Sequence, residues 1–196
     1  MAFDDPTVVQ VEQKNDKDWK LLRTIGYAGK VQRFDVPVDS PTDFASVPRV
    51  FVWFVPRYGV YTQAAILHDY LWQKAVPNKE LSLREADALL RRAMRELGVP
   101  FLRRWVMWAA VRLGALKRNG FTVDWLKDLL GVVAIALLVL PVVLPPAALI
   151  LIALGIFRLF EAIVWVPLKL GAFLAPRLGM KRPPKKVNPP TLSWKL

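Results

Sequence analysis

The 196 residues include one histidine, His68, and Asp69 follows it directly. A histidine beside carboxylates is the pairing that acid–base chemistry uses. The imidazole exchanges a proton near neutral pH, and a carboxylate on one ring nitrogen raises the basicity of the other. Neighbouring residues of a helix point about 100° apart, so His68 and Asp69 hold different jobs. The third member of the group is Asp87. Leu83, Leu90 and Met94 lie at i−4, i+3 and i+7 from it, which sets Asp87 inside an apolar helical stripe, and a buried carboxylate needs a partner. Two antiparallel helices joined by a short connection bring Asp87 opposite His68. On this reading Asp87 fixes the tautomer of His68 and raises the basicity of its other nitrogen, as a general base requires. There is no cysteine, so a disulfide scaffold, a zinc ribbon and a thiol nucleophile are excluded. A single histidine excludes multi-histidine metal sites.

The elements that must position these residues are legible upstream and downstream. Trp19–Ile25, Gly26-Tyr27-Ala28-Gly29 and Lys30–Val36 read as a β-hairpin with a glycine-bearing turn. Ser40 to Arg49 reads as a loop, where Asp43 suits a turn hydrogen bond with Ser46. Three helices follow. The first is about Thr62 to Lys74, with His68 on its apolar face. The second opens on a capping box of Ser82 and Glu85 and stops at Gly98. The third is about Phe101 to Leu116, striped by Phe101, Leu102, Trp105, Val106, Ala109 and Leu113. Asp87 also has Arg91 at i+4 as a surface partner. The fold class expected is α+β and helix-rich, with an N-terminal β-hairpin and loop packed on three helices.

Beyond Asp128 no charge occurs until Arg158. A helix of that uncharged run would be about 43 Å long, more than a bilayer core of about 30 Å. Pro141, Pro145 and Pro146 interrupt it, so an apolar helical hairpin is expected, with arms of about Trp125–Leu140 and Ala147–Leu168, either crossing the bilayer or, since the first arm is short, dipping into it and returning. Arg158 and Glu161 sit at pairing distance in the second arm. The net charge is +12, and basic residues flank the apolar run on both sides. This pattern predicts attraction to anionic lipid head groups. Trp125 and Trp165 stand where an interfacial belt would put them. The basic residues between Arg91 and Arg118 form a solvated face or bind lipid phosphates; no nucleic-acid recognition module accompanies them. The acidic N-terminus has no signal-peptide pattern. The organisation expected is a globular domain over 1–120, a membrane-seeking hairpin over 121–170 and an extended basic, proline-rich tail over 171–196.

Three ordered strings carry a resemblance over about residues 15–116. They are Thr42-Asp43-Phe44-Ala45-Ser46-Val47-Pro48-Arg49, Ala64-Ala65-Ile66-Leu67-His68-Asp69-Tyr70-Leu71-Trp72, and Glu85-Ala86-Asp87 to Met94. They resemble an uncharacterised family of phage and prophage proteins with the pattern T-D-G-A-S-[IV]-P, A-A-x-x-H-D-x-L and A-D-x-x-x-x-x-A-M. Phe44 stands where that pattern has Gly. The resemblance implies a phage or prophage origin and no particular activity. More loosely, H-D-x-x-Y followed by an Asp on a partner helix is similar to the secreted and parvoviral phospholipases A2. That likeness implies His68 as base, Asp87 as its orienter and Asp69 as a calcium ligand, with Asp43 as a further calcium oxygen. Trp72 takes the tyrosine position and supports Asp87 through its indole N–H.

The function expected is a phage-encoded, membrane-associated lipid-ester hydrolase at the host cytoplasmic membrane. One alternative is a non-enzymatic minor tail protein of the virion, whose apolar segment packs on other phage structural proteins in an oligomer or enters the host envelope. A second is a holin-like lysis protein.

Overall fold

A computed structural model describes residues 3–15, 18–120 and 122–175. The architecture is α+β, with short strands at the N-terminal end followed by helices. Strand β1 (Val11–Gln13) pairs antiparallel with β2 (Trp19–Leu21), and β2 pairs with β5 (Pro41–Thr42). Strands β3 (Ile25–Ala28) and β4 (Arg33–Val36) form a separate antiparallel hairpin.

The hairpin therefore differs from the expected one. Gly26, Tyr27 and Ala28 lie in a strand rather than a turn, and Trp19–Leu21 belongs to the other sheet. Burial decides this. Tyr27 is fully buried and packs against Phe3 with ring centroids 4.7 Å apart, a payload that a turn position would leave in water. At Gly26 the exposed ends of the Asp4 and Arg33 side chains lie over the strand, where a Cβ would displace them.

Helix α1 (Thr62–Tyr70) continues into a π-helical turn, Leu71–Ala75. Helix α2 (Leu83–Glu96) begins at the expected capping box, with Ser82 and Glu85 bonded reciprocally. After Gly98, held at φ +77°, and Pro100, helix α3 (Phe101–Asn119) follows. Leu21, Tyr27, Phe34 and Val36 from the strands, Ala64, Leu67 and Leu71 from α1 and its π turn, and Leu90, Ala93 and Met94 from α2 form one apolar core. Tyr27 donates its hydroxyl to Glu96 across that core at 2.8 Å.

Helix α4 runs Val123–Leu174. The turn expected at Pro145-Pro146 is absent, and both of its flanks are helical. Apart from its prolines, the stretch from Val132 to Leu154 holds none of the residues that tight reversals favour, with no Gly, Asn, Asp or Ser. Where side chains are this apolar, the helix remains the conformation that pairs most backbone groups, which offsets the lost hydrogen bonds and the ring clash that its prolines cost.

The chain divides into two compact units, Met1–Val143 and Leu144–Leu196. In the first, the opening turns of α4 pack on α3 through Val132 and Ile135 against Trp105, Trp108 and Ala109. In the second, the helix presents exposed apolar side chains, Ile152, Phe157, Phe160 and Ile163 among them. Arg158 donates to Glu161 at 2.8 Å as expected, and Lys169 lies 4.5 Å over the Trp165 ring. Trp125–Leu174 is the one helix among the described residues long and apolar enough to cross a membrane. The basic tail beyond residue 175 lies outside the described residues.

Candidate functional site

Helices α1 and α2 place His68 and Asp87 face to face. His68 sits at the centre of the apolar face of α1, and Asp87 sits one turn into α2 between Leu83 and Leu90. The His68 Nε2 to Asp87 Oδ1 distance is 2.7 Å. Asp87 is wholly shielded from water, and His68 is 9% exposed. A carboxylate only accepts hydrogen bonds, so Nε2 carries the proton and donates it. That leaves Nδ1 as the lone-pair nitrogen, with no hydrogen-bond partner among the described residues. The indole N–H of Trp72, on the π turn, reaches the same Asp87 oxygen at 3.5 Å. The wider turn brings that ring alongside His68, with centroids 6.4 Å apart.

The other Asp87 oxygen accepts from Arg112 on α3 at 3.1 Å. Arg112 belongs to the basic run between Arg91 and Arg118 expected to face solvent or lipid phosphates, and Arg91 is the expected i+4 partner of Asp87; the structure differs at both. Arg112 is 2% exposed, and Arg91 stacks over Trp105 at 3.9 Å instead. The signal for Arg112 was present: Trp105, Trp108, Ala109 and Arg112 recur at i, i+3, i+4 and i+7, the placement that marked Asp87. The Arg112 Nε also lies 3.2 Å from an oxygen of Asp128 on α4.

Asp69, half-buried, points elsewhere, as adjacent helical residues must. Its Oδ2 accepts from the Thr42 hydroxyl at 2.7 Å. The Thr42 oxygen in turn accepts from the Phe44 N–H at 3.0 Å. Burial pushes the Asp69 carboxyl up to about 8; the Thr42 hydrogen bond opposes this and the nearby Asp43 charge adds to it. Asp43 accepts from Ser46 at 2.6 Å, the turn bond expected of it. Phe44 has φ +62°, a left-handed conformation that favours glycine. Its ring lies 5.7 Å from that of Trp19.

Thr42, Asp43, Ser46 and Asp69 form an oxygen-rich cluster, yet the hydroxyls of Thr42 and Ser46 are turned to the two carboxylates as donors. Calcium takes six to eight oxygens and charged carboxylates, whereas burial favours the uncharged form of Asp69. As placed, these oxygens serve one another rather than a common cation, so no chemical step below runs through a metal.

His68, Asp69, Trp72 and Asp43 all line one cleft of about 710 Å³. Phe44, Val47, Leu90, Met107 and Val111 give it apolar walls, Asp18 and Gln73 add polar groups, and no Lys or Arg among the described residues lines it.

The fold and site thus define an α+β domain whose strand–loop region and first three helices enclose a buried His–Asp–Arg cluster beside an open cleft. Residues 19–111 match the family described as "Protein of unknown function (DUF1353)". The matched stretch holds the cleft loop, His68, Asp69 and Asp87, and ends one residue before Arg112. No curated protein and no solved structure matches the chain.

Proposed function

We propose that the protein is a membrane-associated hydrolase of acyl esters in which His68 activates water and Asp87 holds its ring. The observation that carries this reading is the 2.7 Å bond from His68 Nε2 to a fully buried carboxylate, on a ring that lines a cleft and whose second nitrogen has no partner among the described residues. The proposed chemistry balances as follows. Water, held at Nδ1, loses a proton to the ring as its oxygen attacks the acyl carbonyl. The imidazolium is stabilised by Asp87, whose charge is itself braced by Arg112. Collapse of the tetrahedral adduct breaks the ester C–O bond, and the leaving alkoxide takes the proton back from His68. General-base catalysis of this kind contributes about 10²–10⁴ in rate.

The substrate class follows from the cleft. Its apolar walls suit an acyl chain, and its acidic groups suit a neutral or cationic head rather than a bare phosphate. The arginines outside the cleft and the apolar helix support attraction to an anionic membrane surface. The three ordered loop and helix strings support a phage or prophage origin.

The test is fatty-acid release from vesicles of neutral and anionic phospholipid by the full chain, with calcium or a chelator, comparing wild type with His68→Ala. Release by the wild type that falls at least about 10²-fold in the variant supports the reading. No release under any of these conditions removes it. The buried cluster then acts as architecture, and the apolar helix packs on partner chains of a phage particle.

A further inference from the structure

The site does not end at the first three helices. Asp87 Oδ2 meets Arg112 NH1 at 3.1 Å, Arg112 Nε lies 3.2 Å from Asp128 Oδ2, and Asp128 is clasped by Arg84 through three contacts of 3.0 to 3.2 Å. Trp125, one turn before Asp128 on α4, donates its indole N–H to the Arg112 carbonyl oxygen at 2.9 Å. The opening turns of the apolar helix therefore grip both the backbone and the guanidinium of the residue that braces Asp87. A guanidinium is a planar fork with donors on more than one edge. Here one edge faces the acid that holds His68, and another faces an acid on α4.

We infer that Asp128 is a positioning residue for the His68–Asp87 pair, so that the first turns of the apolar helix complete the site rather than merely tether it. The argument is geometric. Asp87 has one oxygen on His68 and the other on Arg112, so a rotation of Arg112 rotates the carboxylate and lengthens the His68 bond. Arg112 is held against that rotation by its second acid. Removing that acid takes away the second ion pair of a buried guanidinium, and the pair with Asp87 gains freedom to turn. The catalytic consequence rests on the hydrolase reading; the positioning itself does not.

His68 is the only histidine, so its ring gives one set of signals in the full chain. In ¹⁵N-histidine-labelled protein in detergent micelles, the Nε2 proton bonded to Asp87 is expected as a single slowly exchanging downfield resonance. Asp128→Asn is expected to raise its exchange with water by about tenfold, and Asp128→Glu to restore slow exchange, which a merely space-filling role would not do. Arg112→Lys keeps the charge but loses the fork, and the same rise is expected. Arg84→Gln removes the outer partner of Asp128 at a side chain 45% exposed; it leaves the core intact, and a smaller rise is expected. Wild-type exchange in a folded Asp128→Asn or Arg112→Lys overturns the inference. If neither folds, Arg84→Gln decides: a rise supports the inference, and wild-type exchange overturns it. The signal needs no turnover, so the two readings fail separately. A chain that releases no fatty acid but shows the rise loses only the hydrolase reading, and an active chain without the rise loses only the positioning role.

Discussion

The Asp87 carboxylate and the Arg112 guanidinium meet at 3.1 Å with almost no access to water. Taking both charges out of water is expensive, and their attraction offsets that cost only when their remaining donors and acceptors are also paired. His68 and Trp72 reach the other Asp87 oxygen, and Asp128 sets a second carboxylate 3.2 Å from the Arg112 Nε. The cluster ties α1, α2, α3 and the first turns of α4 together, and it sets the terms of the predictions that follow.

Asp87→Ala leaves Arg112 buried without its central acid. The expected cost is about 3–5 kcal/mol of stability, read as a drop in the urea midpoint of the full chain in micelles. Asp87→Asn keeps the volume and a hydrogen-bond acceptor and is expected to cost less. A loss under about 1 kcal/mol for the alanine variant would contradict the buried pair.

Asp69 predicts a specific pH dependence. Its folded-state carboxyl is pushed up to about 8 from an ordinary value of 3.8, so the folded protein binds this proton more tightly than the unfolded chain does. Its contribution is complete below about pH 4 and is lost as pH rises toward 8, with a slope of at most about 1.4 kcal/mol per pH unit. Asp69→Asn removes that dependence. Unfolding curves of the wild type and the variant between pH 5 and 9 are expected to converge or cross as pH rises, and curves that stay parallel would refute it.

Trp125→Phe deletes the indole N–H that caps the Arg112 carbonyl and keeps most of the ring. The expected loss is about 1 kcal/mol, seen in thermal unfolding. Wild-type stability in this variant would mean that the 2.9 Å bond contributes nothing.

Ile152 is exposed on the second unit's helix, inside the uncharged run. Ile152→Lys places a charge where the membrane reading puts lipid, at about 2.5–3.5 kcal/mol on an insertion scale. Flotation with vesicles is expected to show a large fall in the bound fraction, and undiminished binding would show that this face meets something other than lipid.

Much of this arrangement was legible in the chain because it is local. Helical spacing set His68 on an apolar face and Asp87 inside an apolar stripe, the capping box marked the start of α2, and the Asp43–Ser46 turn followed from residue types. Phe44 was not legible: its left-handed φ of +62° appears only in the fold. The hairpin and the proline segment depart from the local pattern because burial outweighs turn residues there. Gly26 reads as a turn until the burial of Tyr27 against Phe3 draws its neighbours into a strand, and Pro145-Pro146 reads as a break although both of its flanks are helical.

What the amino-acid order determined by itself was periodic and short-range: which faces are apolar, where helices start, and that one buried acid and one histidine needed each other. Only the tertiary structure decided that Arg112 serves Asp87 rather than solvent, that Thr42 takes up Asp69, and that Asp128 closes the cluster from the apolar helix. Those three pairings join residues 25, 27 and 16 positions apart. A charge far along the chain can find its partner only once packing has removed water from between them, and no local pattern carries that information.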